Sequence, residues 1–142
     1  MTTRKYSSRA QQTTLSASIT STTATTMVVV SGASLMGGKT PAVGETYTVV
    51  INPDTAQEEI VDVSNYTSGN TLTIARGIDG PTPGTGNTHS AGAVVRHMII
   101  GRDLNEANEH IKENTTAHGI TLADLVKVTD TGTVDSTMIL DG

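Results

Sequence analysis

The 142-residue chain has no cysteine, no tryptophan and no phenylalanine, and only three tyrosines. Without cysteine there is no disulfide framework and no thiolate zinc site. Without large aromatics the interior must be filled by Val, Ile, Leu, Ala and Met, each of which buries less area than an aromatic ring. A core of this kind points to stability shared with neighbouring subunits. Basic residues are also few, nine Lys and Arg against 14 Asp and Glu, for a net charge of -5. That balance argues against non-specific nucleic-acid binding, which needs a basic face to displace counterions from phosphate. No apolar run approaches the ~18 residues that cross a bilayer, so no membrane partner is expected. The opening MTTRKYSSRAQQTTL carries basic residues but no apolar stretch behind them, unlike a secretory signal.

What the chain does have is Thr, Ser and Gly in abundance. Thr is β-branched and suits solvent-facing strand positions, and Gly and Asn suit the turns between strands. Residues 1–12 are polar and aperiodic and read as a flexible N-terminal arm, one that docks on a neighbour if the chain is an assembly component. Leu15, Ala17 and Ile19 then alternate with Ser16, Ser18 and Thr20, the period of a half-buried strand. Thr25 to Val30 is a second strand. The Gly-rich stretch from Ser31 to Glu45 is a loop, with Leu35 and Met36 as its anchors. Thr46 to Ile51 places Tyr47, Val49 and Ile51 on one face, and Asn52-Pro53-Asp54 turns the chain. Glu58 to Val63 is the fourth strand, Asn65 to Asn70 (NYTSGN) a hairpin closure, and Thr71 to Ala75 the fifth, with Leu72 and Ile74 inward. Ala93 to Met98 is the sixth. Short strands with turn punctuation and no helix between them predict a small antiparallel β-sandwich or barrel over residues 13–100.

The pattern changes after residue 100. Asp103 with Glu106 resembles a capping box, and Leu104, Ala107 and Ile111 form one narrow apolar stripe. A helix this short and polar is marginal alone, so the stripe is expected to dock on the β module or on copies of itself. A second capping signal, Thr121 with Asp124, precedes Leu122, Leu125 and Val126. Residues 101–126 therefore read as a short helical connector and 127–142 as an extended C-terminal arm. The expected class is mainly β: about six antiparallel strands, then a short helix and an arm.

No constellation in the chain calls for chemistry. The four histidines, His89, His97, His110 and His118, show no HxH, HExxH or other paired spacing, and read as solvated or packing residues. Glu58 and Glu59 are adjacent, face opposite ways in a strand, and read as a solvated edge that discourages wrong pairing. Arg76 with Asp79 reads as a local ion pair at a turn. Gly38-Lys39-Thr40 lacks the preceding Gly of a P-loop, since that position holds Ala33, and no Gly-x-Ser-x-Gly elbow occurs. The expectation is a non-enzyme without cofactor or metal. The longest irregular stretch runs from Gly77 to Gly92, and loops of that length in small domains usually bind something. Ile78, Asp79, Pro81, Pro83, Asn87 and His89 are its candidate contact residues.

Four segments together carry a likeness. TLSASITSTTATTMVVV (Thr14 to Val30), EEIVDV (Glu58 to Val63), TLTIARGIDG (Thr71 to Gly80) and THSAGAVV (Thr88 to Val95) resemble a recurring small β module of tailed-bacteriophage virion proteins, found in tail fibre, minor tail and related appendage proteins. Its most characteristic elements here are Ala75-Arg76-Gly77 and His89-Ser90-Ala91-Gly92. GRDLNEANEHI (Gly101 to Ile111) resembles the helical connector that follows such a module. The resemblance implies a structural virion protein, assembled in the bacterial host cytoplasm. It would be multimeric, a trimer favoured, with itself and other virion proteins as partners. Fibres of this kind continue into a shaft or a receptor-binding tip; a 142-residue chain better fits a tail or fibre attachment or adaptor part. The alternatives are a capsid decoration protein and a carbohydrate-binding host-recognition module. The scarcity of aromatic faces counts against the latter.

Overall fold

The computed structural model describes residues 3–80 and 82–112, and divides the chain into one compact unit that ends at Ile100 and a second that begins at Gly101. The first unit is a single curled sheet. Its strands are β1 (Thr3–Arg4), β2 (Thr13–Thr14), β3 (Thr26–Val28), β4 (Glu45–Ile51), β5 (Glu59–Ser68), β6 (Thr71–Ile78) and β7 (Val94–His97). Six run antiparallel in the order β2-β7-β4-β5-β6-β3, and β1 adds in parallel to the start of β4. The mainly β class expected from the alternating apolar pattern is the class observed.

Curling brings the two ends of the sheet together. Leu15, just past β2, bridges Val29, just past β3. Two backbone bonds tie them, Ser16 N–H to the Val28 carbonyl and Val30 N–H to the Thr14 carbonyl, both at 2.9 Å. An open sheet edge exposes a row of unpaired N–H and C=O groups, and joining the edges satisfies them. The bend comes from the β5–β6 hairpin, whose register shifts three times, between Ile60 and Asp62, Val63 and Asn65, and Tyr66 and Ser68. Each such irregularity increases local twist and bends the strand. The first of them contains Gly77, whose φ of 66° lies in the left-handed region.

Alternation then sorts the residues. Tyr47, Val49 and Ile51 of β4, Val61 and Val63 of β5, Leu72 and Ile74 of β6 and Val95 of β7 all point into one core. Leu15, Met27 and Val29 complete it from the two ends of the sheet. β4 is buried on its outer face as well, where Thr48 and Val50 lie, and the Thr48 hydroxyl donates to Asp62 at 2.8 Å. The loop before β4 contains a 3₁₀ turn, Ala33–Met36, that plugs Leu35 and Met36 into the core, as their apolar character within a Gly-rich stretch predicts.

Several local expectations differ from what is seen. Ala17 is exposed, because residues 16–18 leave the ladder between the Leu15 and Ile19 bridges. Asn65 to Ser68 continue β5 rather than turning, and the turn is confined to Gly69-Asn70. Residues 3–12, read as a flexible arm, lie on the β module instead. Arg4 pairs with Thr46, Lys5 N–H donates to the Thr46 carbonyl at 2.7 Å, and Gln11 N–H donates to the Ser34 carbonyl at 2.8 Å. The reason is that β7 covers only Val49–Ile51 of that edge of β4, which leaves Glu45 and Thr46 free to take another strand.

The second unit holds α1 (Gly101–Lys112), with Asp103 inside its first turn rather than at its cap. A carboxylate there still complements the positive end of the helix dipole. The second capping signal and the expected C-terminal arm lie outside the described residues.

Leu35→Ala should remove a wholly buried side chain from the base of the sheet. The expected loss is about 2–5 kcal/mol, read as a lower urea midpoint at unchanged slope; a midpoint within error of the parent would show that the 3₁₀ turn does not anchor the core.

Candidate functional site

The inward alternation of β5 and β6 does not end with apolar residues. Glu59 precedes Val61 and Val63 on the inner face of β5, and Arg76 follows Leu72 and Ile74 on the inner face of β6. Both are buried, at 6% and 4% exposure, so a carboxylate and a guanidinium meet at one end of the core. Arg76 forks onto the carboxylate, with Nε to Oε1 at 2.7 Å and Nη2 to Oε2. Its remaining donors reach two backbone carbonyls, Nη1 to Ser21 at 2.6 Å and Nη2 to Asn87. One side chain thereby joins β6, β5, the turn before β3 and the long loop before β7.

His89 completes the cluster. It is buried, and its backbone bridges Ile19 with bonds of 2.8 and 2.9 Å in the two directions. Its Nε2 lies 2.8 Å from Glu59 Oε2. An ionised carboxylate can only accept, so Nε2 carries the proton, and Nδ1 is left to accept from Asn52 Nδ2 at 3.3 Å. The Asn87 amide adds a fourth donor to the carboxylate at 2.9 Å. Gly86 is packed so tightly here that a Cβ would stand 2.0 Å from Glu59 Oε1.

Burial alone would raise the Glu59 pKa. Hydrogen bonds from His89, Arg76 and the Asn87 amide outweigh it and bring the value from an ordinary 4.5 down to about 2. The carboxylate is thus ionised and accepts four hydrogen bonds, one at Oε1 and three at Oε2. Such a group holds the geometry of the segments that donate to it. Among the described residues, no group of three or more His, Asp or Glu side chains is placed to hold a metal ion.

The loop candidates divide around this clamp. Ile78 is half-buried and closes β6 against Ile60. Asp79 is exposed in a left-handed conformation with φ 57°, and Pro83 is exposed. Pro81 lies outside the described residues. His89 is buried with its ring in the clamp and is not a surface contact, whereas Asn87 is exposed and joins the clamp through its backbone. Two further expectations are corrected. Glu58 is exposed, but Glu59 is not a solvated edge, and the buried partner of Arg76 is Glu59 and not Asp79. Period two carried the missing signal, since it sets Glu59 in line with Val61 and Val63, and Arg76 in line with Leu72 and Ile74. Of the other histidines, His97 is half-buried, with ring centroids of Tyr6 and Tyr47 at 6.0 and 5.9 Å and its Nδ1 2.7 Å from the Thr48 carbonyl.

No protein-family model matches this chain, and no curated protein matches it. On α1, Leu104, Ala107 and Ile111 are all exposed.

The clamp sets an acid limit. A carboxylate whose folded pKa is depressed contributes stability that is complete above about 4.5 and is lost as pH falls toward 2. That difference corresponds to about 3 kcal/mol. Urea midpoints taken from pH 7 to pH 2 should therefore fall steeply across this window in the parent. In Glu59→Gln the midpoint should already be low at pH 7, and the fall should be shallower; an identical pH profile in both would remove Glu59 from the account.

Proposed function

We propose that this chain is a non-enzymatic structural protein of a tailed-bacteriophage virion, a multimeric attachment or adaptor component of the tail or its fibres. The observation that carries the reading is a coincidence of position. Glu59 lies in the EEIVDV segment, Arg76 and Gly77 lie in the β6 part of TLTIARGIDG, and His89 opens HSAG. These are the segments that resemble the virion module, and they are also the ones that converge on the buried clamp. The resemblance therefore rests on residues that hold a frame together, as expected for a reusable building block.

The surface supports the same reading. Leu104 and Ile111 are 62% and 79% exposed on a helix that is otherwise polar, which is the pattern of a stripe waiting for a partner. An aliphatic module that closes its own core, followed by such a helix, suits a subunit that multimerises through the helix. It then presents loops to its neighbours.

Two measurements test this. Gold-labelled antibody against the chain, applied to purified particles, should mark the tail or its fibres. Label spread over the head lattice would favour a decoration protein, and unlabelled particles would end the virion reading. In solution, Ile111→Asp should abolish oligomers by light scattering while the β signal in circular dichroism is unchanged. A variant that stays oligomeric shows that the stripe is not the interface.

A further inference from the structure

We propose that the β module stacks end to end: the acidic end of one copy, carrying Asp54, Glu58 and Asp79, docks on the basic end of a second copy, at Arg9 and Lys39. The proposal rests on the multimeric reading above and names the surfaces through which one subunit meets the next.

The two ends of the sheet are set by β4, which runs from Glu45 to Ile51, a rise of about 20 Å. At the Ile51 end, the turn into β5 carries Asp54 and Glu58, both exposed. Glu58 Oε2 accepts from the Asp54 amide at 2.7 Å, which fixes the turn. Asp79 follows Ile78, which pairs with Ile60 of β5, so this exposed residue lies at the same end. None of the three has a cationic partner among the described residues, and Arg76 is buried on Glu59. This end therefore presents three uncompensated carboxylates.

The opposite end is basic. The tip of the β5–β6 hairpin lies there, and Asn70 Oδ1 accepts from the Gly32 amide at 3.0 Å, which sets the 3₁₀ turn beside it. The N-terminal segment crosses this turn. Gln11 is bonded to Ser34, and Gly37 comes so close that a Cβ there would stand 2.7 Å from Arg9 Cβ. Between them opens a polar cavity of about 270 Å³, lined in part by Arg9, Gln11, Ser34 and Gly38. Arg9 and Lys39 are exposed here without an acidic partner among the described residues, while Glu45 is taken by Lys5 at 2.9 Å. A guanidinium at the edge of a cleft matches a carboxylate with its planar fork. The module thus carries, at its far end, the complement of its own cleft, and that complementarity selects a second copy as the occupant. Contact between unlike ends of identical chains is heterologous and repeats along an axis. Exposed ion pairs are individually weak and screened by salt, so stacking gains strength where several subunits meet several others at once.

Charge reversal on the full chain tests this. One variant reverses the basic end, Arg9→Glu with Lys39→Glu. The other reverses the acidic end, Glu58→Lys with Asp54→Asn and Asp79→Asn, because Asn tolerates the left-handed backbone that both aspartates adopt. Circular dichroism and the urea midpoint establish that each keeps the fold; one that loses it is replaced by Lys39→Glu or Glu58→Lys alone. Mass is then read by light scattering at low salt and at about 1 M salt, where the screening length is about 3 Å. The parent is expected to at least double its high-salt mass at low salt. Each variant should keep the high-salt mass at both, and an equimolar mixture of the two should regain the larger one. A parent of equal mass at both salts overturns the proposal, as do variants that grow like the parent or a mixture that does not grow. The high-salt mass separates the two readings: a multimer indifferent to salt defeats stacking alone, whereas a monomer at both salts defeats the multimeric reading with it.

Discussion

A buried ion pair sets the terms for this fold. Glu59 and Arg76 sit where the alternation of two neighbouring strands would otherwise deliver two more apolar side chains. Burying either charge alone is prohibitive, and burying both is acceptable only when every donor and acceptor is used. The chain satisfies four of the five guanidinium N–H groups, and gives the carboxylate four donors, by recruiting its own irregular segments. The Ser21 carbonyl, the Asn87 amide and carbonyl, and the His89 ring all converge on the pair. Loops that would have no reason to adopt one conformation acquire one because two charges need partners. Such a pair contributes less to net stability than its geometry suggests; what it contributes is uniqueness, since few alternative packings would satisfy it.

The same logic explains how so thin a core suffices. Tyrosine is scarce, three in the whole chain, and of these Tyr47 is wholly buried and Tyr6 is 45% exposed. Aliphatic side chains fill a small curled sheet well when the sheet is bent sharply enough to enclose them. The irregular β5–β6 hairpin supplies the bend, and the Leu15–Val29 bridge ties the edges. The polar clamp then closes one end.

Much of this frame was legible in the residues. The inward faces of β4 and β6, the anchoring of Leu35 and Met36, and the mainly β class all follow from period two and from turn chemistry. What was not legible has physical reasons. Glu59 was read by its charge, as an exposed group, when its position in the alternation placed it inside; tertiary partners overrode the preference. Arg76 was paired with the nearest acid in sequence, Asp79, because partners such as Ser21 and Asn87 are invisible until loops from distant parts of the chain meet. Asn65 to Ser68 read as a turn because Asn, Ser and Gly favour turns, yet the hairpin needed only Gly69-Asn70. β1 left no signal, since a two-residue strand has no period. The helical stripe was legible as a pattern, and α1 carries it exposed.

The pairing of β2 with β7, which sets Thr13 opposite Val95, has a consequence for the order in which the fold forms. The pairs β4–β5 and β5–β6 join neighbours in the chain and can form early, with short loops to close. The β2–β7 pair and the Ile19–His89 bridge join opposite ends of the module and must come last. Contacts of such long sequence separation make folding slow, because their loop entropy is spent before they return any stabilisation. The three-strand meander at the centre is thus the kinetic seed, and the sealing of the sheet waits for nearly the whole module to leave the ribosome. Until then, the two outer edges of the meander stand open.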